Sequence, residues 1–221
     1  MALLFNHLPF LAKLVIYMLF AIAVLVACFR APWYHLKESA SLNVLLAIVV
    51  GVMVIWTLRA GFAPGLDIHF LGTTLLTLMF GWEFAILAIT LVLLAHGINN
   101  GSSLLAVPGN SLLLGVLPAV VSHAIFRFSD RRLPNNFFIY IFVCAFFGAG
   151  AAVASVILVT SALHWLGGVY TWEYLWQNYT RYMPLVMVPE GFITGMLMSL
   201  FVAYRPEWVS TFDDSRYLKD K

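Results

Sequence analysis

His69, His96, Asp67 and Glu190 are the side chains of this sequence best suited to hold a metal ion. Imidazole and carboxylate ligands favour divalent transition metals, with nickel, cobalt, copper and zinc the candidates. His69 lies 12 residues before Gly81 and His96 lies 15 residues after it. If the chain folds back at Gly81-Trp82-Glu83 and both arms are helical, a rise of ~1.5 Å per residue brings the two imidazoles to nearly the same depth. Asp67 stands two residues from one of them. Each residue also has a structural reading. His69 can be a helix-end hydrogen-bonding residue, His96 a C-terminal cap before Gly97, and Asp67 an N-terminal cap or a partner that holds the His69 ring. Glu190 is different, because a carboxylate within an apolar span needs a named partner. The two histidines, Asn110, a bound cation or backbone carbonyls of the 97–108 loop are the candidates. His7 precedes the first apolar run and is either a further ligand or an interfacial residue, and His164 reads the same way.

These residues must be positioned by helices in a bilayer. Of 221 residues, 62% are hydrophobic and only 10% charged, with a mean hydropathy of +0.94. That composition excludes a soluble domain. The net charge of +2 gives no reason to expect a nucleic-acid partner. Cys28 and Cys144 sit inside apolar runs and read as small core residues. Long apolar stretches run about Leu8–Phe29, Ala40–Leu58, His69–Ala95, Leu104–Phe128, Phe137–Leu163 and Pro184–Tyr204. The first is too long for a signal core, so that helix is expected to be retained. The third is too long for one span and too short for two. A hairpin of two short helices, 69–80 and 83–96, is therefore predicted, which also keeps Glu83 out of mid-bilayer.

The expected fold is all-α: one polytopic transmembrane domain over 1–221, about seven helices, and a polar tail over 205–221. Seven segments place Arg30, Lys37, Arg127, Arg131, Arg132, Arg205, Arg216, Lys219 and Lys221 on one face, and only Arg59 and Arg181 on the other. Six segments would separate the charges less well. The positive-inside rule then puts the N-terminus outside and the C-terminus, with its tail, in the cytoplasm. His7, Asp67, His69, His96, His164 and the loop of 167–181 face outward in that arrangement. His35, Glu83 and His123 fall at the cytoplasmic side. The outer loop carries Trp165, Tyr170, Trp172, Tyr174, Trp176, Tyr179 and Tyr182, an interfacial belt or a lid over a site. Pro184 and Pro189 predict an irregular start to the last helix. The Ala23/Ala27 pair and the small-residue patch of 148–154 suit close helix approach, inside the protein or against a partner.

Leu94-Ala95-His96-Gly97, Pro108-Gly109-Asn110 and Pro189-Glu190-Gly191-Phe192-Ile193-Thr194-Gly195 resemble motifs of one family, as does His69 ahead of Leu71-Gly72. It is the membrane substrate-binding (S) component of cobalt/nickel energy-coupling factor (ECF) transporters, the CbiM/NikM-type permeases. The resemblance spans roughly 65–203. It implies about seven helices, an outside N-terminus and a metal site near the outer face. It also implies partnership with a transmembrane T component and two cytoplasmic ATPases. One departure stands out: the family's site uses an N-terminal Met-His chelator, whereas this sequence begins Met1-Ala2-Leu3-Leu4-Phe5-Asn6-His7. A divergent branch with a changed ligand set, metal or activity is the expectation.

Three functions follow from these readings, the last being a structural or accessory subunit with no site. The first is a permease component for a divalent transition-metal ion, in a bacterial inner membrane and among its lipids. The chain has no Gly-x-x-x-x-Gly-Lys phosphate loop, so ATP hydrolysis would belong to partners. The second is a membrane metalloenzyme using the same His and carboxylate residues, with the open coordination position of a catalytic site.

Overall fold

The computed structural model describes residues 9–37, 39–57, 60–61, 65–99, 103–213 and 217. His7 lies outside them. The chain is a helical membrane fold. Helix α1 is Phe10–Arg30, α2 is Ser39–Ile55, α3 is Thr73–Phe80 and α4 is Trp82–Asn99. Helix α5 spans Leu104–Arg132 and α6 spans Phe137–Leu166; each contains a π segment, Leu112–Val116 and Tyr140–Phe147 respectively. A short α7, Trp172–Asn178, precedes α8, Met183–Tyr204. A two-residue antiparallel ladder, β1 (Ala60–Gly61) with β2 (Asp67–Ile68), leads into α3.

The predicted hairpin exists, with different arms. Gly81 has φ of 94° and separates α3 from α4, a left-handed position that only glycine adopts cheaply. The lower arm is helical only from Thr73, so His69 stands in the turn before it rather than in a helix. Equal depth of two helical arms is therefore not what relates His69 to His96. Gly97 does not stop α4 either, since the helix runs on to Asn99. Pro184 sits in the first turn of α8, where a missing N–H costs nothing, and the helix continues through Pro189.

All eight residues of α3 are buried. A helix of eight residues is only ~12 Å long. Its polar groups must find partners inside the protein, because lipid offers none. Thr73 donates to the Leu114 carbonyl at 2.8 Å. Pro118, four residues beyond Leu114, has no N–H to give that carbonyl. Thr74 and Ser122 share a 2.7 Å hydrogen bond, and the Thr77 hydroxyl bonds the Thr73 carbonyl. At the far end, the Ser210 N–H bonds the Met79 carbonyl at 2.9 Å and the Thr211 hydroxyl bonds the Leu78 carbonyl at 2.6 Å. The segment after α8 thus folds back as a cap on α3. Tyr140 bonds Thr211 at 2.7 Å and its ring meets Phe212 and Tyr217. The sequence reading made this stretch a polar tail, but Val209, Phe212 and Tyr217 are buried.

This cap defines one end of the molecule. Trp82, the Trp33 ring against Phe84, and the His123 ring against Trp82 share it. His69 lies beyond the opposite end of α3. His96 is 14 residues along α4 from Trp82, ~21 Å away. His123 and His96 are therefore at opposite ends of α4, as the seven-segment arrangement requires.

Small residues are used internally. Ala27, Ala149 and Ala152 are fully buried, and Gly150 faces Met187. The tightest approach is at Gly191, where an added Cβ would stand 2.7 Å from the Phe146 carbonyl oxygen and 3.3 Å from its ring. Gly195 continues that contact one turn on. Gly191→Ala is expected to lower stability by about 1–3 kcal/mol through overpacking of α8 on α6. Gly51→Ala, where a Cβ meets nothing within 4 Å, should be neutral or stabilising. Thermal unfolding of both variants in detergent checks the contrast.

Candidate functional site

The site region is built around the turn of 69–72. Gly72 has φ of 70°, and an added Cβ would come within 2.9 Å of Val52 Cγ2. Glycine is thus required there twice over, by conformation and by space. The turn presents two backbone N–H groups ahead of α3, and both find the same carboxylate. Leu71 N–H donates to Glu190 Oε2 at 2.7 Å, and Gly72 N–H donates to Glu190 Oε1 at 3.0 Å. Glu190 is only 2% exposed and sits in the third turn of α8, 119 residues from Leu71 in sequence. The sequence reading sought its partner among histidines, Asn110, a cation or carbonyls of the 97–108 loop. The structure supplies N–H donors from the His69 turn instead. Gly72 is the N-cap of α3 and Leu71 precedes it, so the two oxygens of one side chain meet one orphan N–H of the helix and one of the segment leading into it.

His69 is 8% exposed and packs against Trp56 at the end of α2, ring centroids 4.4 Å apart. Its Nδ1 lies 3.1 Å from the Phe70 carbonyl oxygen. A carbonyl can only accept, so Nδ1 carries the proton in that bond and Nε2 carries the lone pair of the neutral ring. Backbone carbonyls commonly orient metal-binding histidines in this way.

Asp67 lies in β2, paired with Gly61, close enough to the Tyr179 phenol to act on it electrostatically. His96 is half-buried in the last turn of α4, and Asn110 is half-buried near the start of α5. Among the described residues, no three His, Cys, Asp or Glu side chains gather closely enough to hold one metal ion.

A second polar group at the same end contains His164, read from the sequence as a further ligand or an interfacial residue, together with Thr160, which was not singled out. His164 closes α6 with Nδ1 2.8 Å from the Thr160 carbonyl, and Tyr170 stacks on its ring at 5.8 Å. Ser161 bonds Thr180 at 2.9 Å, and Tyr179 is fully buried beside them. The aromatic loop is therefore divided. Trp165, Trp172 and Trp176 are exposed, while Leu175 and Tyr179 are fully buried. The Thr160–His164 spacing of one helical turn was the available signal.

In a multi-helix membrane fold, a histidine-bearing turn clamped by a buried carboxylate makes that end of the bundle the candidate functional site. The model of the cobalt uptake substrate-specific transmembrane region family, CbiM, matches residues 7–208, and the chain belongs to that family. Two solved structures share the fold. One, titled a truncated transition metal transporter, superposes with a TM-score of 0.77 at 17% identity, covering 92% of this chain and 99% of that one. The other, titled a transition metal transporter, gives 0.75 at 17% identity, covering 92% and 93%. No curated protein matches the sequence. The chain is thus an integral membrane component of a transition-metal uptake family.

Glu190→Gln keeps the shape but replaces one acceptor oxygen by an NH₂ donor, leaving a buried N–H of the turn unpaired. The expected loss of stability is about 1–3 kcal/mol. Faster amide hydrogen exchange at Leu71 and Gly72, with Thr77 little changed, checks that the damage is local.

Proposed function

We propose that this chain is the substrate-binding permease component for a divalent transition-metal ion, of the nickel or cobalt type, with the ion as cargo rather than resident cofactor. Family membership supports the class. The observation that carries the site is the fixed His69 ring. Its turn is held by Glu190 and its Nδ1–H by the Phe70 carbonyl, and Nε2 is the nitrogen proposed to coordinate the ion. Glu190 acts here as the positioning residue of the turn. His96, Asp67, Asn110 and His7 are the further candidates for coordination or for orienting the ion's water.

The site faces outward in this reading, with the N-terminus outside and the C-terminus inside, supported by the nine-to-two division of basic residues. Movement inward would be driven by an ECF T component and cytoplasmic ATPases, since the chain has no phosphate-binding loop of its own.

Purified protein, stripped with chelator and titrated with Ni²⁺ or Co²⁺, should bind the ion, and His69→Ala should weaken that binding at least about tenfold, ~1.4 kcal/mol. Binding unchanged in His69→Ala would remove His69 from the site. No binding by the unaltered protein would overturn the proposal.

A further inference from the structure

Helix α3 is held at three places, each on a different part of it. Ahead of its first turn, Leu71 and Gly72 are bonded to Glu190. Within that turn, Thr73 bonds the Leu114 carbonyl and Thr74 bonds Ser122. At the far end, the Leu78 and Met79 carbonyls are among those a helix leaves without an intrahelical partner. Thr211 meets the first at 2.6 Å and the Ser210 N–H meets the second at 2.9 Å. Left-handed glycines bound the helix on both sides, Gly72 with φ of 70° and Gly81 with φ of 94°.

The strap formed by the residues after α8 is keyed to this far end. The Leu78 oxygen only accepts, so Thr211 donates its single hydroxyl hydrogen there. The Tyr140 O–H, 2.7 Å away, must then donate to Thr211. One chain of hydrogen bonds therefore runs from α6 through the strap to α3. Phe212 packs edge-on against the Tyr140 ring at 5.1 Å and anchors the strap beside it. Val209 and Phe212 are buried, while Arg205, Glu207 and Ser210 form an exposed face. Ser210 and Thr211 follow the last residue matched by the family model, so family membership assigns them no role. A helix of eight residues has too short a ladder to hold its place alone, and glycines at its two boundaries can absorb a change of backbone angle. Thr73 and Thr74 lie between its two ends. A displacement at Met79 therefore tilts α3 about them and shifts Leu71 and Gly72 on the other side.

We propose that Ser210 and Thr211 are positioning residues for the His69 turn, acting through α3 as a lever pivoted on Thr73 and Thr74. With the strap in place, the turn sits against Glu190 and the His69 ring is fixed. With the strap drawn away, the turn loosens and the ion is released. The strap lies at the end that faces the cytoplasm in the proposed orientation, so a partner acting on its exposed face would control affinity at the opposite end. Ion release rests on the proposed function; the linkage between strap and turn does not. Two sites coupled in this way act on each other equally, so a bound ion also tightens the strap.

The test is amide hydrogen exchange of the full chain in detergent, with and without Ni²⁺. In chelator-stripped protein, Thr211→Val keeps the bulk and removes the hydroxyl. It should speed exchange at Leu71 and Gly72 about tenfold, with Thr77 inside α3 and the buried Val153 and Ile157 of α6 unchanged. Thr211→Ser, which keeps the hydroxyl, should exchange as slowly as the unaltered chain. Tyr140→Phe removes the donor behind Thr211 and should move the same two amides by a smaller factor; it carries the test if Thr211→Val does not fold. Ni²⁺ should slow exchange at Ser210 in the unaltered chain, and Thr211→Val should weaken Ni²⁺ binding several-fold. Unchanged exchange at Leu71 and Gly72 in the Thr211→Val and Tyr140→Phe variants would overturn the lever. Faster exchange spread equally over Val153 and Ile157 would overturn it too, since the loss would then be general. Linked exchange with unaltered nickel affinity in Thr211→Val would uphold the linkage and overturn ion release. Linked exchange with no nickel bound by the unaltered chain would uphold the strap and overturn the proposed function.

Discussion

Two hydrogen bonds from the Leu71 and Gly72 N–H groups to one buried carboxylate hold the candidate site of this protein together. Their importance follows from the solvent. In water the N-terminus of α3 could be capped by the medium, but in a bilayer each orphan N–H must be met by the protein. Glu190 meets two at once and joins α8 to a turn more than a hundred residues earlier.

The same constraint shapes the rest of α3. Both ends of this short, wholly buried helix are held by the chain around α8: Glu190 before Thr73, and Ser210 with Thr211 after Met79. Its flank is held by α5, where Pro118 leaves the Leu114 carbonyl for the Thr73 hydroxyl. Interhelical polar bonds are individually modest in membranes. Here they work as a set, because α3 is too short to be stabilised by its own ladder. Gly191 completes the arrangement. By lying against the Phe146 carbonyl it brings α8 onto the widened π turn of α6, one residue from the carboxylate that must reach the turn.

Much of this was legible beforehand. Apolar runs located the helices, Gly81 located the hairpin, and the seven-segment reading put His123 and His96 at opposite ends of α4. The short motifs around His69, His96 and Glu190 led to the right family. Several local readings failed for one reason: periodicity in an apolar chain does not say where a helix begins. Residues 69–72 are as apolar as those after them, so only the left-handed Gly72 and its close contact with Val52 mark the true start. The tail misled in the opposite way. Its charges looked solvated, while Val209, Phe212 and Tyr217, spaced among them, pack into the core.

Composition and order of residues were enough to require a helical membrane protein, to place its hairpin turn, and to name the side chains whose chemistry suits a metal, because hydrophobic length and ligand type are local properties. Which nitrogen of His69 points where, what Glu190 touches, and that His164 lies with Thr160 and Tyr179 are not local. Each depends on groups brought together from distant segments. Hydrogen bonds that lipid cannot supply select those partners only once the helices have packed.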